Sequence, residues 1–122
     1  MVELLLDTNI LIYSFDKKYD INRLSDDAVY GPYSLNTLSL CIEELKSLGR
    51  NDVAAWASSV NIKILKAVSV GNVDDSLLKT ALDNKMLLVT ADKELIHKAD
   101  AIGIGIGKIE NGKIRVISLH EN

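Results

Sequence analysis

The chain is poor in the residues that staple small domains or bind soft metals: 122 residues hold one cysteine, two histidines and one proline. A single thiol excludes an intrachain disulfide framework and a thiolate metal cluster. Cys41 falls on the apolar face of a predicted helix, where a buried structural thiol is expected. His97 and His120 are not spaced to act together and read as ordinary helix and tail residues. Long apolar runs are also missing. The N-terminal run from Val2 to Leu6 stops at Asp7, whereas a membrane span needs about twenty residues and a secretory leader needs a basic start. A cytoplasmic protein is therefore expected. An excess of base is missing too, since the formal charge is -3. What remains is 48% hydrophobic and 25% charged, a globular balance, and the length suits one domain spanning residues 1–122.

Strand and helix patterns alternate along this domain. Val2 to Leu6 is an apolar run apart from Glu3, as expected for a strand covered on both faces. Asp7, Thr8 and Asn9 are capping types ahead of a short helix through Ile10, Leu11 and Tyr13. A polar stretch from Asp16 to Asn22, with a short helix after it, ends at Gly31 and Pro32. Leu38, Cys41, Ile42, Leu45 and Leu48 share one helical face, and Gly49 supplies a stop. Asn51 and Asp52 precede a helix carrying Val53, Trp56, Ala57 and Val60. Ile62 to Val70 reads as a strand, a helix begins around Asp74, and Met86 to Thr90 is a further strand. Another short helix runs from Asp92 to about Ala99. Asn111-Gly112 between Ile109 and Ile114 is a hairpin signal. Gly103, Gly105 and Gly107 lead into a strand, not a helix, so they suit a glycine-softened strand better than a phosphate loop. The expected fold is α/β, a three-layer α/β/α sandwich around a parallel sheet with a C-terminal β-hairpin.

Four acids stand at the junctions of these elements. Asp7 closes the first strand, Glu44 lies within the Leu38 to Leu48 helix, Asp75 is at the start of the next major helix, and Asp92 follows the Met86 strand. Each has a plain structural reading: Asp7 and Asp92 at capping positions, Asp74 or Asp75 favoured by a helix dipole, Glu44 as a flanking surface acid. Helical phase separates Glu44, on the flank of the apolar face, from Glu43, which is turned toward solvent. Together they would gather outside the carboxyl ends of the strands, where open α/β sheets bind ligands. An oxygen-only set without cysteine or histidine favours Mg2+ or Mn2+ over zinc. With four of the 17 acids neutralised by metal, the other 13 balance the 14 bases, which permits a polyanionic substrate without demonstrating one.

The segments Leu4-Leu5-Leu6-Asp7-Thr8-Asn9-Ile10-Leu11-Ile12, Ile42-Glu43-Glu44-Leu45-Lys46, Asp74-Asp75-Ser76-Leu77-Leu78 and Leu88-Val89-Thr90-Ala91-Asp92-Lys93-Glu94-Leu95 resemble, in order and spacing, those of the PIN-domain ribonucleases. The resemblance covers roughly residues 2 to 100. It implies that Asp7, Glu44, Asp75 and Asp92 form a catalytic metal-binding set, supported by Asn9, Thr90 and Asp74, in a divalent-metal-dependent endoribonuclease. Such a site would hold a scissile phosphate and activate a water. Lys46, Arg50 and Lys93 are candidate RNA contacts, with Lys17, Lys18, Arg23 and Lys98 as further rim charges; each alone also reads as solvated surface. Tyr13, Tyr30 and Tyr33 could stack on bases or pack at the core edge.

Within the family two roles compete. One is a VapC-like toxin with an antitoxin partner; the other is an RNA-processing nuclease with its own partners, and the Thr-Ala-Asp-Lys-Glu-Leu segment looks closer to the second. Family habit also implies a homodimer. An inert PIN-type RNA-binding or scaffold module is the alternative within the fold. A metal-dependent phosphatase of the haloacid type wants Asp-x-Asp, and Asn9 takes the second position; a receiver domain wants an acidic pair that Asp7-Thr8 does not supply.

Overall fold

The computed structural model describes residues 1–66 and 71–118. Val2–Leu6 forms β1, followed by α1 (Thr8–Asp16), α2 (Ile21–Ala28), β2 (Tyr33–Leu38), α3 (Ser39–Ser47), α4 (Asn51–Ser59) and β3 (Lys63–Leu65). Then come α5 (Val73–Asn84), β4 (Leu87–Val89), α6 (Lys93–Ala101), β5 (Ile106–Glu110) and β6 (Lys113–Ser118). The strands form one sheet in the order β3-β2-β1-β4-β5-β6. All neighbours are parallel except β5 and β6, which pair antiparallel as the expected hairpin. Asn111 and Gly112 both have positive φ, 51° and 73°, as a tight two-residue hairpin turn requires.

Alternation along the central strand divides the core in two. Leu4 and Leu6 face α1, α2, α3 and α4, meeting Ile10, Leu11, Leu24, Leu45 and Val53. Leu5 faces the opposite way, toward Leu77 and Ala81 of α5 and Leu95 and Ala99 of α6. Leu4, Leu5 and Leu6 are fully buried, which is why this part of β1 reads as an apolar run, while Glu3 before them is exposed. The result is a three-layer α/β/α sandwich, as the sequence implied.

Strand β2 was not visible in the sequence. Its residues, Tyr-Ser-Leu-Asn-Thr-Leu, include Asn36 and Thr37, both buried. Their polar atoms reach β1 itself: Asn36 Nδ2 donates to Leu4 O at 3.1 Å and Thr37 Oγ1 to Leu6 O at 2.8 Å. Burial of these groups is tolerated because each hydrogen bond is made internally. The strand expected over Ile62 to Val70 is the three-residue β3 where it is described; residues 67–70 lie outside the described residues, as does His120. The glycine run is divided. Gly103 sits beyond the end of α6 with φ of 82°, and Gly107 alone of the three lies in β5. Among the described residues no helix is long and apolar enough to cross a membrane.

Candidate active site

The sheet reverses direction at β1: the chain moves from β1 outward to β2 and β3, then returns to lay β4 on the other side of β1. Such a switch point opens a crevice at the carboxyl ends of the strands. Asp7 stands there, its amide donating to Val89 O at 3.0 Å. It also caps α1, because Oδ1 accepts from Thr8 N at 2.7 Å. The other oxygen, Oδ2, accepts from Thr90 Oγ1 at 2.7 Å and from Asn9 Nδ2 at 3.2 Å. Thr90 Oγ1 in turn accepts from Asp92 N at 3.1 Å, and Asn9 Oδ1 accepts from Ala91 N at 3.2 Å. Asn9 and Thr90 thus tie the end of β1 to the turn after β4. Asp92 caps α6 through Oδ1, which receives Glu94 N and Leu95 N at 2.9 and 3.3 Å. The capping reading and the site reading are therefore compatible for both aspartates.

The remaining acids are placed by helix phase. Glu44 is half-buried and Glu43 exposed, matching the flank position read from the apolar face of α3. At the start of α5 the cap is neither aspartate but Asn72, whose Oδ1 accepts from Asp75 N at 2.9 Å. At about 100° per residue, Asp74 lies about 60° from the buried Leu77, while Asp75 is turned about 160° away. Accordingly Asp74 is half-buried and Asp75 exposed, and a Cβ added at Gly71 would collide with Asp75 Oδ2.

Charge couples four of these groups. Burial raises the Asp7 carboxyl above its ordinary value; hydrogen bonds from Thr90 and Thr8 hold it down, and the charges of Asp74 and Glu44 push it further up. Asp74 is also raised, first by burial, then by Asp92, with Glu44 and Asp75 adding and Lys98 opposing. Asp7 thus feels Asp74 and Glu44, and Asp74 feels Asp92 and Glu44 with Lys98 as the opposing cation. Asp75 reaches this group through Asp74.

Comparison with known proteins assigns the fold. The structure of the PIN domain endonuclease Utp24 matches 98% of this chain and 93% of its own, with a TM-score of 0.86 at 24% identity. The fold is that of a PIN domain. VapBC-1 from nontypeable Haemophilus influenzae matches this PIN domain at a TM-score of 0.60 and 17% identity, over 82% of this chain and 94% of that one. A PilT N-terminus domain protein from the archaeon Sulfolobus solfataricus P2 does so at 0.60 and 16%, over 91% and 90%. No family model and no curated protein matches the chain.

In this PIN domain the donor chemistry suits a hard divalent cation, because every acid of the crevice offers oxygen and burial with like charge raises two of them. Among the described residues, however, no three His, Cys, Asp or Glu side chains are gathered closely enough to hold an ion. Asp7 and Asp92 are both held by hydrogen bonds, so gathering would fall to Glu44 and Asp74.

The expected RNA contacts are dispersed. Lys46 and Lys93 are exposed, the latter directly after Asp92. Arg50 is engaged elsewhere, donating to Asp16 at 2.6 and 3.1 Å and to Asp52 at 3.1 and 3.3 Å. Lys17, Lys18 and Arg23 are also on or near the surface. Tyr33 is pinned by Asp26 Oδ1 at 2.6 Å and Asn22 O at 2.8 Å, and its phenol is pushed up to about 12, chiefly by burial and then by Asp26. Tyr30 is fully exposed. Tyr13 is half-buried beside the site. The sequence named Asp74 only in a supporting place beside Asp75; its offset from Leu77 is the signal that sets it on the more buried side of α5.

Proposed function

We propose that this PIN domain is a divalent-metal-dependent endoribonuclease that hydrolyses RNA phosphodiester bonds. The observation that carries the reading is the Asp7 carboxylate, buried at the switch point, anchored by Thr90 and Asn9 and under the electrostatic influence of Glu44 and Asp74. Asp7, Glu44, Asp92 and the Asp74-Asp75 pair would hold Mg2+ or Mn2+, with Asp74 the member facing the crevice. When bound, such an ion supplies the charge that polarises the phosphate and lowers the pKa of an attacking water. The protein's own part is to keep Asp7 ionised against its burial, which the Thr90 and Thr8 donors favour, and to orient the turn carrying Asp92. Lys98, which also pairs with Glu94 at 3.5 Å, offsets part of the acidic charge at Asp74.

RNA is the proposed partner, with homodimerisation and a protein partner drawn from the family's habits. The likeness to the PIN domain endonuclease Utp24 agrees with an endonuclease, and the Thr-Ala-Asp-Lys-Glu-Leu segment favours an RNA-processing role over a toxin with its antitoxin. The deciding experiment incubates a pool of structured and single-stranded RNA with wild type, Asp7→Asn and Asp92→Asn, in magnesium, manganese or chelator. Cleavage by wild type with metal, absent from every other lane, is the expected result. RNA binding without cleavage under either metal would replace this reading with an inert binding module.

A further inference from the structure

Beside the acidic crevice a second cavity, about 390 Å³, opens along the outer face of α1. Its near wall is Asn9 and Ala91, the two residues joined by the hydrogen bond that closes the active-site turn. Its floor is Ile12, Tyr13 and Ile109, all half-buried, and Lys17 stands at its far end. From Asn9 to Lys17 is eight residues of helix, about 12 Å. The lining is mostly apolar, which is unusual so near a cluster of acids. The Tyr13 ring is held by Tyr19, centroids 5.5 Å apart and planes inclined at 51°. The carboxylate of Asp16, also in the lining, is neutralised by Arg50 at 2.6 Å.

We propose that this cavity is a nucleobase subsite, taking one unstacked base of a single-stranded RNA next to the phosphate held at the crevice. The inference rests on the nuclease reading for its substrate class. Three features select a base with its phosphate over a purely apolar group. The cavity shares Asn9 and Ala91 with the turn that carries Asp92. An aromatic ring already braced on one side is available for stacking, which tolerates any base. Lys17 lies at the far end, where the next phosphate of the strand would pass, while the one carboxylate in the lining, Asp16, is masked by Arg50. The base would be read by shape and stacking, so sequence preference at this position should be modest.

The test uses the whole chain with 13C-labelled isoleucine methyls. Uridine 5′-monophosphate, adenosine 5′-monophosphate and ribose 5-phosphate are titrated to millimolar concentration, and RNA cleavage is assayed on the same preparation. Both nucleotides should shift the Ile12 and Ile109 methyls and ribose 5-phosphate should not. Tyr13→Ala should weaken nucleotide binding about tenfold, the size expected for one base stack, and Tyr13→Phe should retain it. Folding of each variant is checked by the unperturbed methyls of the buried Ile21, Ile104 and Ile106 and by its melting curve. Equal shifts from ribose 5-phosphate, or no shift from either nucleotide, overturns the subsite. Cleavage without nucleotide shifts removes the subsite alone; nucleotide shifts without cleavage keep the subsite and remove the nuclease reading.

Discussion

Replacing Thr90 by valine keeps the shape of a fully buried side chain and deletes one hydroxyl. That hydroxyl donates to Asp7 Oδ2 at 2.7 Å and accepts from Asp92 N at 3.1 Å. A hydrogen bond to a buried charge contributes about 1.5–3 kcal/mol. The half-exposed Asp92 amide can turn to water, so its loss adds little. Thr90→Val should therefore cost about 2–3 kcal/mol at neutral pH, a fall of about 10 °C for a chain of this size. Thr90→Ser keeps the hydroxyl and loses one methyl, costing about 1 kcal/mol. The sign of the pH dependence follows from Asp7. Its folded pKa is raised above the ordinary carboxylate value, so the associated stability is fully present below that ordinary value and is lost as pH rises through the folded pKa. Deleting the donor that holds the pKa down enlarges this loss at neutral pH and leaves it small in acid. Urea denaturation in chelator, at neutral pH and near pH 4, measures both effects. A Thr90→Val loss equal to that of Thr90→Ser, or unchanged between the two pH values, would refute the role given to the hydroxyl.

Asp74→Asn should reduce RNA cleavage at least a hundredfold, whereas Asp75→Asn should cost less than tenfold; equal losses would place both carboxylates in the crevice. Magnesium or manganese at a hundred times its dissociation constant should add about 2.7 kcal/mol of stability, read as a rise in melting temperature that Asp7→Asn abolishes. Arg50→Gln should weaken the fold at neutral pH and leave it unaffected in strong acid, since Asp16 and Asp52 are both held below the usual carboxylate value first by their Arg50 hydrogen bonds and that contribution is lost as pH falls through their folded values; a pH-independent loss would count against it. Gly112→Ala should lower the melting temperature, because φ is 73° there and an added Cβ would stand 3.1 Å from the Tyr19 hydroxyl.

The contrast between β1 and β2 explains how much of the fold could be read from the sequence. Leu4, Leu5 and Leu6 announce a doubly covered strand because nothing but apolar residues would do. Asn36 and Thr37 conceal one, because their burial is justified only by carbonyls of a strand 31 and 32 residues away. The hairpin was legible from Asn111-Gly112, where backbone geometry demands the residue type. Among the acids, Asp7 and Asp92 sit at strand ends that the apolar runs mark, and the flank position of Glu44 followed from the spacing of Cys41, Ile42 and Leu45. Asp74 and Asp75 are adjacent, so the exposure of each depends on where α5 begins. Asn72 sets that start, and a shift of one residue would exchange their places.

The bond between Thr90 and Asp7 joins residues 83 positions apart. During synthesis the first half of the site is therefore made early and must wait for most of the domain. Until the chain past residue 90 has emerged, Asp7 lacks the donor from Thr90, and β1 lacks the neighbour β4 that completes its pairing. A growing chain accordingly carries no assembled centre, and whatever chemistry the crevice performs begins only after the sheet has closed around its first strand.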